Sequence, residues 1–404
     1  MLIKIAWRNV WRNRIRSLVV ICSIALGLLG GVFLASFSWG MNESRAQNMI
    51  ETQLSHIQIH TPEFRDDPQV KYFIPQGQQI LQDIMAKPEV KAATGRVKVT
   101  GMLSSTKGGL GVQIQGVHAE SEALVTKLNT KVVEGKYFEG VSHNPILVGQ
   151  KLAERLKLGV RKKVVLTFQD INGNITAGAF RIAGIYKTIN SKYDEANVFV
   201  RAEDLQPLLG IDGQVHEVAL LLHKQDELEA VKSSLAAAYP TLMVEDWKDL
   251  APDLKLMAES MGTFMQVFMA IFMLGMAFGI INTMLMAVLE RTRELGMLMA
   301  IGMNKLRVFL MIMLETVFLA LVGGPLGIFM AFVLVSYFGK VGIDLSMFAE
   351  GLSSFGMTNM VYTYIDPHFY WDIGVMVVMT AMISAIYPAI KALRLKPVEA
   401  VRAI

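Results

Sequence analysis

The chain has 404 residues and a net charge of +4, with 52% of residues hydrophobic and 18% charged. So apolar a composition excludes an ordinary soluble globular protein. The one cysteine, Cys22, excludes an intrachain disulfide.

Residues 1–16 come first, with Lys4, Arg8, Arg12, Arg14 and Arg16 and no acidic residue among them. Ile3, Trp7, Val10, Trp11 and Ile15 recur near helical spacing. The segment therefore reads as an amphipathic helix on the membrane surface, with both tryptophans at headgroup level. A bilayer core takes about 20 apolar residues as helix. Residues 17–40 carry no charge and form a first span. Its apolar run is too long for a signal peptide and no A-x-A site follows, so it reads as uncleaved. Val20 and Ile21 precede Cys22 where a lipidated cysteine has small residues, so Cys22 reads as a packing residue. Residues 261–289, 308–339 and 373–390 give three further spans, and only Glu315 interrupts them.

Charge sets the orientation. The 290–307 segment carries Arg291, Arg293, Lys305 and Arg307, and the 391–404 tail carries Lys391, Arg394, Lys396 and Arg402. The 340–372 loop has Lys340 against Asp344, Glu350, Asp366 and Asp372. The positive-inside rule then puts both termini and 290–307 in the cytoplasm, and 41–260 and 340–372 outside. The expected fold is a membrane protein of four transmembrane α-helices, with an α+β extracytoplasmic domain inserted between the first and second.

That domain, 41–260, is long enough to bury a core of its own. Alternation marks strands at 56–60, 112–117, 164–168, 180–186, 197–200 and 215–222. Helical periodicity marks 76–85, 150–158, 202–209 and 226–239. Asn172-Gly173 reads as a two-residue hairpin turn, and 251–260 as helix continuing into the second span. His56 and His60 lie on a strand, where four residues cover roughly 13 Å, so they cannot share one metal ion. H-E-x-x-H, G-x-S-x-G and G-x-x-x-x-G-K-[ST] are all missing, so neither a catalytic site nor a P-loop is expected in these residues.

The cytoplasmic segment reads ERTRELGMLMAIGMNKLR. Glu290, Arg291, Arg293 and Glu294 form a charged turn. Leu295, Leu298 and Met299 give an apolar face, Gly302 stops the helix and Asn304 caps the next one. The charged face suits a soluble partner. In the spans, Gly275, Gly279, Gly323, Gly324 and Gly327 suit close helix approach, and Pro325 suits a kink. Half of the 26 methionines lie in 261–330, where they suit helix packing or the lining of an acyl-chain cavity. Glu315 lies about two turns inside the third span, a place where a carboxylate calls for a function or a bond to the loop below.

The pattern Glu290-Arg291-Thr292-Arg293-Glu294-Leu295-Gly296, with Ala300 and Gly302, resembles the coupling segment of FtsX-like (type VII) ABC transporter permeases. Tyr387-Pro388-Ala389 and Lys396-Pro397-Val398-Glu399-Ala400 resemble the ending of that family. Ala6-Trp7-Arg8-Asn9, with Arg12, Arg16 and Ser17, resembles its opening. Gln115-Gly116-Val117, Ile146-Leu147-Val148-Gly149 and Ala183-Gly184-Ile185-Tyr186 are similar to the MacB-like periplasmic core. Ser55-His56-Ile57-Gln58-Ile59-His60 is similar to the lipoprotein-releasing (LolC/LolE-type) members. Their carrier-recruiting hook has no clear counterpart, since the hairpin at 168–180 is short and lacks the hook's proline and arginine.

The resemblance implies a multi-pass permease of the bacterial inner membrane that is not itself an enzyme. It implies coupling through Glu290, Arg291, Arg293, Glu294, Leu295, Gly296, Leu298, Ala300 and Gly302. Partner ABC ATPase subunits would bind the ATP and Mg, with no cofactor and no metal in this chain. A second permease subunit and a periplasmic lipoprotein carrier are further implied partners, and no nucleic acid is. The implied work is mechanotransmission, extracting lipoproteins toward the outer membrane. MacB-like export of a small amphiphile or peptide, or signalling to a cell-wall enzyme, are the alternatives. Glu315, Gly323, Gly324, Pro325 and Gly327 are the expected intramembrane positions, and Pro388, Pro397, Glu399 and Ala400 the C-terminal motif.

Overall fold

The computed structural model describes residues 2–394. It separates into two compact units. One contains residues 2–42, 258–344 and 360–394; the other contains Glu43–Met257 and Leu345–Asn359. Pro397, Glu399 and Ala400 lie outside the described residues.

In the first unit four helices are long and apolar enough to cross a bilayer. We label the helices α1 (Leu2–Arg12), α2 (Arg14–Met49), α3 (Pro252–Glu290), α4 (Thr292–Ala300), α5 (Lys305–Val341) and α6 (Pro367–Leu393). The amphipathic helix expected over 1–16 ends at Arg12, and Arg14–Arg16 belong to the long helix. The Ser17 hydroxyl donates to the Val10 carbonyl across that break, satisfying an acceptor that helix α1 leaves free at its end. Helix α6 starts six residues before the apolar run expected at 373. Asp366 caps it, accepting from the His368 N–H at 2.9 Å, and Pro367 follows at the first helical position. Counting uncharged residues delimits hydrocarbon, while the helix itself begins at the cap.

The bundle closes through small residues. A Cβ on Gly327 would lie 2.8 Å from Ala25 Cα, and one on Gly323 would lie 3.1 Å from the Ile21 carbonyl. These two glycines let the α5 backbone approach α2. Gly324 faces Val377 of α6. Gly275 and Gly279 meet nothing within 4 Å, so they do not mediate helix approach within this chain. Pro325 sits inside the unbroken α5. Met261, Met265, Met269 and Met273 recur every four residues and are buried in the bundle. Their shared face packs against neighbouring helices, while Phe264, Val267, Ile271, Leu274 and Phe278 of α3 remain exposed.

The second unit is α+β. Its strands are β1 (Ile57–His60), β2 (Val90–Ser105), β3 (Gly108–Val117), β4 (Val132–Gly135), β5 (Pro145–Gly149), β6 (Lys163–Gln169), β7 (Ile175–Tyr186), β8 (Asn197–Arg201), β9 (Glu217–Leu222) and β10 (Met243–Asp246). The long β2 serves two lobes. Its first half pairs with β9, which leads through β1 to β10. Its second half pairs with both β3 and β6, and the ring β2-β3-β8-β5-β7-β6 closes on itself. Inward residues such as Leu103, Ile114, Leu166, Phe180 and Val198 fill that ring. The hairpin between β6 and β7 is a five-residue loop, not the expected two-residue turn. Asp170 organises it, its carboxylate accepting from the N–H groups of Asn172 and Asn174 at 2.9 and 2.8 Å. Residues 345–359, expected as a plain loop, join this unit; Ser353 Oγ lies 2.8 Å from Ser191 Oγ.

His216 sets an acid limit on this unit. Its Nδ1 accepts from the Lys98 N–H at 3.1 Å, and Nε2 donates to the Val70 carbonyl at 2.9 Å. Phe64 stacks on the ring at 4.9 Å. Burial lowers its pKa to about 4. The unfolded chain, with an ordinary histidine pKa near 6.5, takes up a proton that the folded chain refuses. Stability therefore falls as pH drops through that window and levels off below about 4, a loss of about 3 kcal/mol at full extent. Urea midpoints at pH 7.5 and pH 5 check this, and His216→Gln is expected to flatten the pH dependence.

Candidate coupling site

Helix α4 is short and enclosed on one face. Leu295 and Gly296 are buried, and Leu298 and Met299 pack on the bundle core. The helix ends as its sequence demands. Gly302 takes φ +99°, the Met303 N–H donates to the Leu298 carbonyl at 3.0 Å, and Gly302 N–H to Met299 at 3.1 Å. This is a glycine C-cap of the Schellman kind. Asn304 then caps α5, accepting from the Leu306 N–H at 3.1 Å.

A polar network ties α4 to two other helices. Glu315, 4% exposed, accepts from Asn9 Nδ2 at 2.7 Å and from Arg291 Nη1 at 3.2 Å on both carboxylate oxygens. Arg291 Nε donates to Glu294 at 3.1 Å. Arg12 Nη2 donates to both Glu294 oxygens, at 2.6 and 2.5 Å. Asn9 and Arg12 lie three residues apart on one face of α1. The path Asn9–Glu315–Arg291–Glu294–Arg12 is thus a closed loop through α1, α4, α5 and the α3–α4 junction. Its hydrogen bonds are charge-assisted, the stronger and more directional kind. Hydrogen bonds from Arg12 and Arg291 hold the Glu294 carboxyl below the usual range. Glu290 lies 3.8 Å from Arg16, a looser pair.

The expected site residues separate into groups. Glu294, Arg291 and Glu315 are brought together. Glu315 sits level with Asn9 and Arg291, at the end of the bundle where α4 lies, because α5 begins ten residues below it. Leu295, Gly296 and Leu298 form the inward seam of α4. Ala300 and Gly302 are exposed, as is Arg293. Gly323, Gly324, Pro325 and Gly327 serve helix packing and stand apart from the network. Pro388 is buried in α6. Asn9 and Arg12 were not expected as site residues; the opening motif carried the signal, but it lies almost 300 positions from its partners.

A second surface on the same hairpin is apolar and open. Met297, Ile301 and Leu306 are exposed, Ile301 to 85%, and Arg293, Lys305 and Arg307 are exposed around them. Exposed apolar side chains rimmed by charge make this a candidate contact surface.

Residues 266–397 match the FtsX-like permease C-terminal family, and residues 17–238 match the MacB-like periplasmic core domain. The protein belongs to the FtsX/MacB-like ABC transporter permeases. An ABC transporter permease of Methanocaldococcus jannaschii is 24% identical over 99% of this chain and 97% of its own length. The lipoprotein-releasing system transmembrane protein LolC of Neisseria meningitidis is 23% identical over 96% of this chain and 94% of its own. The pyoverdine export ATP-binding/permease protein PvdT of Pseudomonas fluorescens is 23% identical over 98% of this chain, which spans 58% of that protein. In this permease α4, Glu315 and the open apolar surface all fall within the FtsX-like match, and Asn9 and Arg12 precede the MacB-like one.

Proposed function

We propose that this permease couples ATP hydrolysis by a separate ABC ATPase to the extraction of lipoproteins from the outer leaflet of a bacterial inner membrane. Both termini and α4 face the cytoplasm in this reading, as their arginines and lysines favour. The ATPase docks on Met297, Ile301 and Leu306. Its movement tilts α4, and the loop through Arg291, Glu294 and Glu315 transmits that tilt to α1 and α5. The stalk at 251–261 carries movement toward the external domain. Two permeases form the working assembly, acyl chains lying between the first span of one and the second of the other. A periplasmic carrier receives the cargo. ATP and Mg belong to the ATPase, since the 404 residues hold no P-loop pattern.

The observation that carries the coupling half is the closed polar loop joining α4 to α1 and α5. The cargo half rests on the full-length similarity to LolC. Depleting the permease tests it: outer-membrane lipoproteins are expected to accumulate in the inner membrane, and their normal sorting would refute the cargo assignment. Export of a small amphiphile is the second reading, favoured by the similarity to PvdT over nearly this whole chain.

The docking half has its own test. Ile301→Asp places a charge on the most exposed apolar side chain of the hairpin without touching its buried seam. Burying an unpaired carboxylate in an interface costs several kcal/mol. Co-purification of the ATPase is expected to fall about a hundredfold or more, with the variant's thermal unfolding unchanged.

A further inference from the structure

A groove of about 500 Å³ opens beside the elbow between α1 and α2, lined by Trp11, Arg14, Leu18, Ile21 and Val322. Its chemistry is graded. Arg14 and Trp11 stand at one end, where the charge-free run of α2 has not yet begun. Leu18 and Ile21 rise along α2, and Val322 closes the far side from α5. From Arg14 to Ile21 the helix climbs about 10 Å, the depth from a headgroup into the upper acyl region.

The charge at the mouth is uncompensated. Arg12 is committed to Glu294 and Arg16 faces Glu290. Arg14 is exposed and has no ion pair or hydrogen bond within the chain among the described residues. Leu18 is 62% exposed, so the apolar wall is open as well. An arginine fork suits a phosphate oxygen pair, and an indole suits the headgroup zone. Basic pockets between helices at a membrane surface bind anionic lipid headgroups.

We propose that this groove is a binding site for one anionic glycerophospholipid of the surrounding leaflet, its phosphate on Arg14, its headgroup against Trp11 and an acyl chain along Leu18, Ile21 and Val322. The lipid is a bound partner of the elbow, separate from any transported cargo. Its site touches α1, α2 and α5, the helices that the polar loop and the glycine seam hold together.

The test is native mass spectrometry of the delipidated full chain in detergent, titrated with dioleoyl phosphatidylglycerol or dioleoyl phosphatidylethanolamine. The first phosphatidylglycerol is expected to bind about tenfold more tightly than phosphatidylethanolamine. Arg14→Gln is expected to erase that preference, whereas Arg8→Gln, which removes the same charge from an exposed position outside the groove, is expected to keep it. Val322→Trp fills the groove with Arg14 intact and is expected to lose the first site as well. Equal loss in Arg14→Gln and Arg8→Gln would reduce the effect to general surface charge and overturn the proposal. So would phosphatidylglycerol binding unchanged in Val322→Trp. Each outcome is independent of the cargo and of the ATPase.

Discussion

Glu294→Lys is expected to uncouple the permease completely while leaving it folded in the membrane. Glu294 is the bridge between Arg12 and Arg291. A lysine there removes three charge-assisted hydrogen bonds and sets a third cation between two others. Like charges at such contact repel, so α4 parts from α1. Glu294 is partly exposed, so the new charge stays hydrated and insertion is unaffected. Reconstituted with its ATPase, the variant is expected to lose the substrate-stimulated fraction of hydrolysis, with basal hydrolysis retained. Glu294→Gln keeps one acceptor oxygen and adds no cation, and is expected to fall between. Full stimulation in Glu294→Lys would show that the polar loop is not the route of coupling.

The largest loss of stability is expected from Arg96→Met in the external unit. Arg96, 2% exposed, meets Glu122 through Nη2 and Nε at 2.9 and 3.0 Å, and Glu217 through Nη1 at 2.9 Å. Lys98 reaches the other Glu217 oxygen at 2.5 Å. Burial alone would lower the Arg96 pKa, but the two carboxylates outweigh it and raise it. Burial alone would raise that of Glu217, but Lys98 and Arg96 lower it. Removing Arg96 strands Glu122, fully buried, with no cation. Breaking a buried pair in this way costs about 3–5 kcal/mol. The urea midpoint of the full chain is expected to drop accordingly, and Arg96→Met with Glu122→Leu is expected to recover a substantial part. A single Arg96→Met change within about 0.5 kcal/mol of the parent would mean that water reaches the site.

Arg96 also explains where the sequence stopped being readable. Long apolar runs, interrupted only by Glu315, announced the four long helices because charge is costly in hydrocarbon. The α4 hairpin was legible through Gly302 and Asn304, whose roles are local. Strand β2 was not, since Arg96 occupies a buried position and Gly95 and Gly101 break the alternation. A Cβ at Gly101 would lie 2.5 Å from the Thr167 carbonyl, so its glycine answers a strand far away in the chain. Period-2 reading assumes apolar inward positions, and a paired inward charge defeats it. Asn9 escaped for a similar reason: an asparagine among five basic residues reads as flank until Glu315 is placed against it.

The external unit and the polar loop are thus each tied by contacts distant in sequence, such as Arg96 with Glu217, Asn9 with Glu315 and Arg12 with Glu294. The proposed docking surface is local, and its exposure is its signature. Ile301 can be tested directly because Cys22 is the chain's one cysteine. In a Cys22→Ser background, Ile301→Cys carrying a photoreactive maleimide is predicted to cross-link to the ABC ATPase. Met347→Cys, at a position 94% exposed in the other unit, is predicted to give no ATPase adduct. An ATPase adduct at 347 with none at 301 would contradict the account.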